Sequence, residues 1–144
     1  MNKHIKNIII SIILMSLILI LSACFSLTAR EKELYYSEKD NYVEATGIVE
    51  YIKYNDERTA IYIGFSELNP KFDDVNFKIV GNNLPIVQEN GIDEKIQLGD
   101  QVEFITAPKY FGDGYVMPIV SISVDGEELL SYEEGYANFL GWLD

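Results

Sequence analysis

The sequence predicts a mainly β domain, and three observations support this expectation. Between residues 42 and 124, apolar and polar residues alternate in short runs, which is the period of a half-buried strand. Clusters of Gly, Asn, Asp and Pro separate these runs, as turns do. Gly47 interrupts the longest run, and a glycine inside a strand often marks a bulge or a bend.

Three strands are expected in the first half of the domain. In the first strand, Val43, Ala45, Val49 and Tyr51 are expected to share one face because side chains alternate along a strand. Phe77 and Ile79 are expected on the inner face of the third strand. The three strands are Tyr42–Tyr54, Thr59–Leu68 and Val75–Val80, and the turn Asn55–Arg58 joins the first two.

A short helix and two more strands are expected next. Asn83 is expected to cap a helix that starts at Leu84-Pro85, since proline is favoured in a first turn, and Gly91 is expected to end it. Asp125-Gly126 is typical of a hairpin turn. The further strands are Gln101–Ala107 and Tyr115–Val124, and Glu127–Leu130 is expected to continue the ladder.

The chain is expected to end in a helix that packs on the domain. Ser131 suits an N-cap, and Glu133 and Glu134 suit the first turn, where acids interact favourably with the helix dipole. An apolar stripe follows, made by Tyr136, Phe139, Leu140 and Leu143. Such a stripe is more often a core face than a docking surface, so Tyr136, Phe139 and Trp142 are expected in the core.

The order of these elements resembles the OB-fold, a five-stranded Greek-key barrel. Gly47 lies where the first strand of such a barrel must serve both sheets, and a short helix lies between strands three and four. The run Leu98-Gly99-Asp100-Gln101-Val102 resembles the turn that leads into the fourth strand. The resemblance covers residues 42–124. A small β-sandwich, or an open sheet covered by one helix, is the alternative.

The first 23 residues have the pattern of an export signal. Lys3 and Lys6 precede an apolar run from Ile8 to Leu21, which is shorter than the roughly 20 residues that span a bilayer and is typical of a signal-peptide core. Leu21-Ser22-Ala23-Cys24 resembles the lipobox of bacterial lipoproteins. That resemblance implies cleavage before Cys24 and a diacylglyceryl group on its sulfur, and two acyl chains suffice for stable anchoring in a lipid bilayer. An uncleaved anchor with an incidental cysteine is the alternative.

The expected organisation has four parts. Residues 1–23 are the signal peptide, residues 24–41 the lipidated cysteine and tether, residues 42–130 the β domain, and residues 131–144 the terminal helix. Within the tether, Thr28-x-x-Glu31 suits a capping box for a short helix that reaches Ser37. A charged, disordered spacer is the alternative.

Composition narrows the chemistry of the exported part. Of the 11 basic residues, Lys3 and Lys6 fall in the signal, so 9 remain against 23 acidic residues and the net charge becomes −14. This charge argues against nucleic acid, whose phosphates need clustered Lys and Arg. The one histidine, His4, lies in the expected signal, and the one cysteine, Cys24, is the residue that the lipobox resemblance assigns to the lipid. No cofactor, no metal site and no catalytic residue is therefore predicted.

A binding site is predicted from the OB resemblance. In that fold the ligand lies across strands two and three, between the loops that join strands one and two and strands four and five. These loops correspond to Asn55–Arg58 and Lys109–Gly114. The candidate ligand-binding residues are the aromatic side chains at these positions, which are Tyr54, Tyr62, Tyr110, Phe111 and Tyr115. Aromatic rings that only pack on the barrel are the alternative.

The leading functional hypothesis is a non-enzymatic binding module, held by lipid on the extracytoplasmic face of a bacterial cell membrane. Its partner is expected to be a protein, a peptide or an envelope glycan. A small carboxylate-dependent hydrolase is the second hypothesis. A surface protective or immunity protein, which would inhibit a toxin or a host lysozyme, is the third.

Overall fold

The computed structural model describes residues 15, 29–109, 111 and 115–143. Cys24 and the rest of the lipobox lie outside these residues, and so does Tyr110. The chain divides into two compact units, Met1–Tyr35 and Tyr36–Asp144. Residues 29–37 form helix α1, so the helical alternative for the tether is the observed one. Among the described residues, no helix has the length and apolar character needed to cross a membrane.

Six strands of the second unit belong to one sheet, and the prediction of a mainly β domain is confirmed. All neighbouring strands pair antiparallel, except for one parallel pairing between β3 and β5. The strands are β1 (Val43–Tyr54), β2 (Ala60–Asn69), β3 (Asn76–Val80), β4 (Gln101–Thr106), β5 (Val116–Val124) and β6 (Glu127–Leu130). The helices are α2 (Asn83–Glu89), α3 (Ile92–Lys95) and α4 (Tyr132–Leu143), and a 3-10 turn spans Lys39–Asn41.

The strand order is β3-β2-β1-β4-β5-β6, and the β3–β5 pairing joins the two ends of the first five strands. Strand β1 serves two neighbours, because Val43 to Ile48 pair with β4 while Thr46 to Tyr54 pair with β2. The register of β1 against β2 shifts on both sides of this changeover, between Thr46 and Ile48 and between Val49 and Tyr51. The irregularity expected at Gly47 is therefore confirmed.

Packing and backbone contacts explain why β1 changes partner here. A Cβ on Gly47 would lie 2.8 Å from the Cβ of Phe65, so only glycine lets the two strands approach this closely. Two residues after Gly47, Val49 forms two backbone hydrogen bonds with the turn at Gly99 and Asp100. The amide of Gly99 donates to the Val49 carbonyl at 2.8 Å, and the Val49 amide donates to the Asp100 carbonyl at 2.9 Å.

The core lies on the inner side of this sheet and contains stacked aromatic rings. Phe65 stacks on Phe104 with ring centroids 4.7 Å apart, and Phe77 meets Phe104 edge to face at 4.9 Å. The predicted inner positions Phe77 and Ile79 are fully buried. The hairpin at Asp125-Gly126 joins β5 to β6 as expected, with the positive φ at both residues that such a tight turn requires.

Helix α2 begins one residue earlier than predicted. Asn82 occupies its N-cap without a side-chain cap bond, whereas Asn83 is buried inside the first turn and donates from Nδ2 to the Gly135 carbonyl of α4 at 2.9 Å. The prediction that Asn83 caps the helix is therefore wrong, because a tertiary hydrogen bond uses its amide. The helix ends at Glu89 with Asn90 as its C-cap, and Gly91 follows with φ of 82°.

Helix α4 packs against β5 through Gly135, which is buried. A Cβ at this position would lie 1.9 Å from the Val120 carbonyl oxygen. The Ser131 cap is confirmed, since Ser131 Oγ accepts from the Glu134 amide at 3.4 Å. Phe139 is buried as expected, but the Trp142 side chain is 44% exposed. Trp142 therefore belongs only partly to the core.

The compact unit begins at Tyr36, ahead of the predicted boundary at residue 42, and tyrosines fasten this entry segment to α4. The Tyr36 ring is 0% exposed, lies edge to face against Phe139 at 5.2 Å, and donates its hydroxyl to the Lys109 carbonyl at 2.7 Å. Tyr136 of α4 donates to the Ser37 carbonyl at 2.5 Å. Tyr42 donates to the Tyr36 carbonyl at 2.9 Å.

Candidate functional site

The outer face of β1, β2 and β3 carries tyrosines and lysines, and we call it the tyrosine–lysine face. Lys53 of β1 is the register partner of Tyr62 on β2, and Tyr62 is the register partner of Lys78 on β3. Paired residues point to the same side of a sheet. Their chain neighbours on β2 and β3 are buried core residues, so this row faces outward. The face comprises Tyr51, Lys53, Tyr62, Gly64, Asn76 and Lys78.

Each lysine of this face lies over a tyrosine ring. Lys53 Nζ is 5.4 Å from the centroid of the Tyr51 ring, and Lys78 Nζ is 5.0 Å from that of the Tyr62 ring. A cation within about 6 Å of a ring face is attracted to it. The ammonium groups therefore stay close to the aromatic surface, and the face presents flat rings and positive charge together.

Gly64 allows Tyr51 to lie flat across β2. A Cβ on Gly64 would lie 2.1 Å from Cε1 of the Tyr51 ring, so the ring occupies the space that any side chain would need. The Tyr51 hydroxyl donates to Oδ1 of Asn76 on β3. Partial burial, followed by the nearby charge of Glu50, raises the pKa of Tyr51 above 10.0. This phenol is therefore a neutral donor at physiological pH.

The loop between β1 and β2 borders this face and holds Arg58 in place. Asn55 Oδ1 accepts from the amides of Thr59 and Ala60 at 2.8 and 2.9 Å, and the Arg58 amide donates to the Asn55 carbonyl at 2.9 Å. The Arg58 guanidinium carbon lies 4.1 Å above the centroid of the Tyr54 ring. The loop therefore presents a guanidinium at a defined position.

Tyr54, the support of Arg58, is itself anchored. Its hydroxyl donates to the Asp93 carboxylate, with the closer oxygen at 2.8 Å, and accepts from Gln88 Nε2 at 3.3 Å. Desolvation is the largest cause that raises the pKa of Tyr54 above 10.0, and the Asp93 contacts act in the same direction. The neutral hydroxyl therefore links the end of β1 to α2 and α3.

Two surface grooves adjoin these strands. The first, which we call the tryptophan groove, has a volume of about 390 Å³ and contains the exposed part of Trp142, with Arg58 and Lys78 beside it. Its remaining lining residues are Thr59, Ala60, Val80, Gly81 and Leu84. The second, the acidic groove, has a volume of about 510 Å³ and lies across β1, β4 and β5. Its carboxylates belong to Glu44 and Glu103, and Thr46, Ser121 and Ser123 add hydroxyls.

The structure separates the five aromatic residues proposed from the sequence. Tyr62 lies on the tyrosine–lysine face. Tyr54 points to the core side instead, because its register partner is the buried Ile61. Phe111 is only 3% exposed and packs against Phe139 and Trp142 at 5.4 and 5.6 Å. Phe111 therefore packs beneath α4, as in the alternative that these rings only pack on the domain.

The remaining two candidate residues are Tyr115 and Tyr110. Tyr115 is 66% exposed and immediately precedes β5. Tyr110 lies outside the described residues. The four described residues thus do not form one aromatic edge, and among them only Tyr62 is joined by neighbours that the sequence analysis missed.

Sequence reasoning missed Tyr51, Lys53, Lys78 and Trp142 as site residues. The sequence predicts Tyr51 on the same face as Val49, but the register shift between Val49 and Tyr51 places the two side chains on opposite faces. This correction has a physical cause, because one extra residue in a bulge reverses the alternation of the following side chains. The alternation within Val75–Val80 was the available signal that Lys78 faces outward, as the alternation within Thr59–Leu68 was for Tyr62.

The described residues contain no group of three or more His, Cys, Asp and Glu side chains arranged to hold a metal ion. No protein-family model, curated protein or solved structure matches the chain at a significant level.

Proposed function

We propose that this chain is a lipid-anchored extracytoplasmic lipoprotein whose domain is a non-enzymatic binding module. Its partner is a protein, a peptide or an envelope glycan. The tyrosine–lysine face is the observation that carries the proposal. It places two cations and two aromatic rings on adjacent strands in a chain with 11 basic and 23 acidic residues. Tyr51 and Tyr62 are half-buried, and tyrosines that combine an apolar ring with a polar hydroxyl suit recognition of such partners.

The proposal includes an OB-like barrel for residues 42–124. Two features support it, namely the β3–β5 pairing that connects the ends of the five-strand order and the helical connection between β3 and β4. OB-folds bind ligands across strands two and three, beside the loop that joins strands one and two. The tyrosine–lysine face and Arg58 occupy the corresponding positions.

The anchor is tested by replacing Cys24 with alanine. The proposed diacylglyceryl group is attached to the Cys24 sulfur, so Cys24→Ala is expected to abolish incorporation of radiolabelled palmitate and to leave an uncleaved precursor. Ser22→Ala, which keeps a small residue before the cysteine, is the matched control and is expected to label normally. Palmitate incorporation by Cys24→Ala at the wild-type level would show that the anchor assignment is wrong.

The binding face is tested by photocrosslinking in intact cells. A photoreactive phenylalanine at position 62 is expected to form an adduct of defined mass, because Tyr62 lies at the centre of the face. The same group at Glu128, an exposed position on β6, is the control and is expected to form none. Charge reversal of Lys53 and Lys78 should remove the position-62 adduct.

Two results would contradict this proposal. One is a pattern of adducts that does not differ between positions 62 and 128. The other is turnover of an envelope glycan by the purified chain of residues 25–144, since that would make the protein an enzyme. Circular dichroism of each purified variant shows whether its fold is retained.

A carboxylate-dependent hydrolase is the second candidate, and the acidic groove is the observation that favours it. Glu44 pairs with Ile105 and Thr46 pairs with Glu103, so the two glutamates are diagonal neighbours on adjacent strands, with Cα atoms about 7–8 Å apart. Two carboxylates flanking a bond are the usual equipment of glycoside hydrolysis. Turnover that is lost in Glu103→Gln would favour this candidate over the binding module.

A further inference from the structure

We propose that the tryptophan groove binds an anionic saccharide, meaning a sugar that carries a carboxylate or a phosphate group. This inference rests on the proposed binding function and names the ligand class. Trp142 supplies the stacking surface, and Arg58 and Lys78 supply the positive charge.

The charge of this groove is opposite in sign to the net charge of the chain. Two cationic residues and no acidic residue are among its lining residues. Three other surface grooves of the described residues each contain a carboxylate side chain, namely Glu44 with Glu103, Glu103 with Asp125, and Glu67. In a chain with a net charge of −12, an anion meets local attraction at the tryptophan groove and repulsion at these others.

Arg58 is oriented before any ligand arrives. Its guanidinium stacks on Tyr54, whose hydroxyl is held by Asp93, and the hydrogen bonds of Asn55 close the loop beneath it. A guanidinium offers planar, paired donors that match a carboxylate or a phosphate. Because the side chain is already ordered, binding costs less conformational entropy.

Trp142 presents a supported aromatic surface. Phe111 meets its ring edge to face at 5.6 Å, and the Phe139 ring stacks beside it at 6.1 Å. A Cβ on Gly81 would lie 2.8 Å from Trp142 Cδ1, so the glycine lets the indole approach the backbone. The C–H bonds of a pyranose ring pack on such a flat surface, while its hydroxyl groups reach polar neighbours such as Thr59.

The geometry favours a saccharide over an acidic peptide. Extended peptides commonly gain affinity by adding a strand to a free sheet edge. Lys78, at the groove, is paired on both sides, with Tyr62 of β2 and with Pro118 of β5. The sheet therefore offers no free edge at this position. Lys78 also lies over the Tyr62 ring. A saccharide longer than one unit would therefore contact the Tyr62 ring in addition to Trp142, beside Lys78.

The single tryptophan of the chain makes the test specific to this groove. The soluble chain of residues 25–144 retains the whole compact unit Tyr36–Asp144. It is titrated with trigalacturonic acid as the carboxylate probe and with N-acetylglucosamine 1-phosphate as the phosphate probe, while Trp142 fluorescence is recorded. At least one probe is expected to cause a saturable change, and maltotriose, a neutral sugar, should bind about tenfold more weakly or not at all. Binding should weaken as salt rises, because added ions shorten the screening length.

Two variants and a matched control identify the cations. Arg58→Gln and Lys78→Gln are each expected to raise Kd about tenfold or more, since each removes a charge-assisted hydrogen bond. Lys71→Gln removes the same charge from an exposed residue that lies outside the tryptophan groove, and Kd is expected to change less than about twofold. Circular dichroism confirms that all three variants are folded.

Several outcomes would overturn the inference. These are no saturable change with either anionic sugar, equal binding of maltotriose, or a Kd that neither Arg58→Gln nor Lys78→Gln alters. Tighter binding of tetraglutamate than of both sugars would assign the groove to an acidic peptide instead. If the sugars fail while the position-62 adduct forms in cells, the ligand class is wrong and the binding function stands. If the sugars bind and that adduct is missing, the groove inference stands and the tyrosine–lysine face is not the partner site.

Discussion

Gly135→Ala is expected to destabilise the domain by about 3 kcal/mol, at the upper end of the usual cost of overpacking. Alanine is intrinsically the better helix former, so helix propensity alone predicts the opposite sign. The new Cβ would lie 1.9 Å from the Val120 carbonyl oxygen, which belongs to the backbone of β5 and cannot move independently. Helix α4 must therefore shift away from the sheet. Urea denaturation of the soluble chain measures the loss.

Gly141→Ala is the matched control in the same helix. Apart from its chain neighbours and the backbone of its own helix, no described atom lies within 4 Å of the position that its Cβ would occupy, so a propensity gain of up to about 1 kcal/mol is expected with no overpacking to oppose it. The two alanine variants should consequently change stability in opposite directions. If both variants stabilise the domain, α4 does not pack on β5 as closely as described above. The fluorescence of Trp142 gives a second measurement, since a displaced α4 carries that residue with it.

Tyr36→Ala is expected to cost about 3–5 kcal/mol, which is typical for truncation of a buried aromatic ring. The ring is fully buried against Phe139, so the substitution leaves a cavity between the entry segment and α4. It also removes the hydrogen bond to the Lys109 carbonyl. The expected result is a lower urea midpoint and faster proteolysis near the start of the compact unit.

Two other substitutions separate the causes. Tyr36→Phe keeps the ring and is expected to cost only about 1 kcal/mol, the net value of a typical hydrogen bond. Leu34→Ala changes a neighbouring residue that is largely exposed and is expected to have little effect. A Tyr36→Ala variant no less stable than Leu34→Ala would show that this tyrosine does not fasten the entry segment.

The strands were predictable because their signals are local. In β2 and β3 the fully buried core residues Ile61, Ile63, Phe77 and Ile79 fall at every second position, as the apolar alternation predicts. The turn at Asp125-Gly126 was predicted from its residue types, which suit a tight hairpin. Gly47 marked the irregularity of β1 for a similar reason, since a strand interior seldom contains glycine without a close approach. These features need no knowledge of which strands pair.

The binding surfaces were less predictable because they depend on register and on contacts between distant segments. Tyr51 faces outward only because the register shifts after Val49. Phe111 is buried only because α4 returns to cover it. Arg58 and Trp142 are 84 positions apart along the sequence but line one groove. No short-range pattern contains this information.

The sequence by itself determined the mainly β class, the approximate strand positions, the capped terminal helix and the exclusion of histidine and cysteine chemistry from the domain. It also supplies the whole case for a lipid anchor at Cys24. Only the tertiary structure decided which tyrosines face outward, which cationic side chains lie close together and why Gly135 must lack a side chain. The physical reason is that propensity and alternation act over a few residues, whereas register shifts and packing distances are set by strands and helices that meet only when the chain folds.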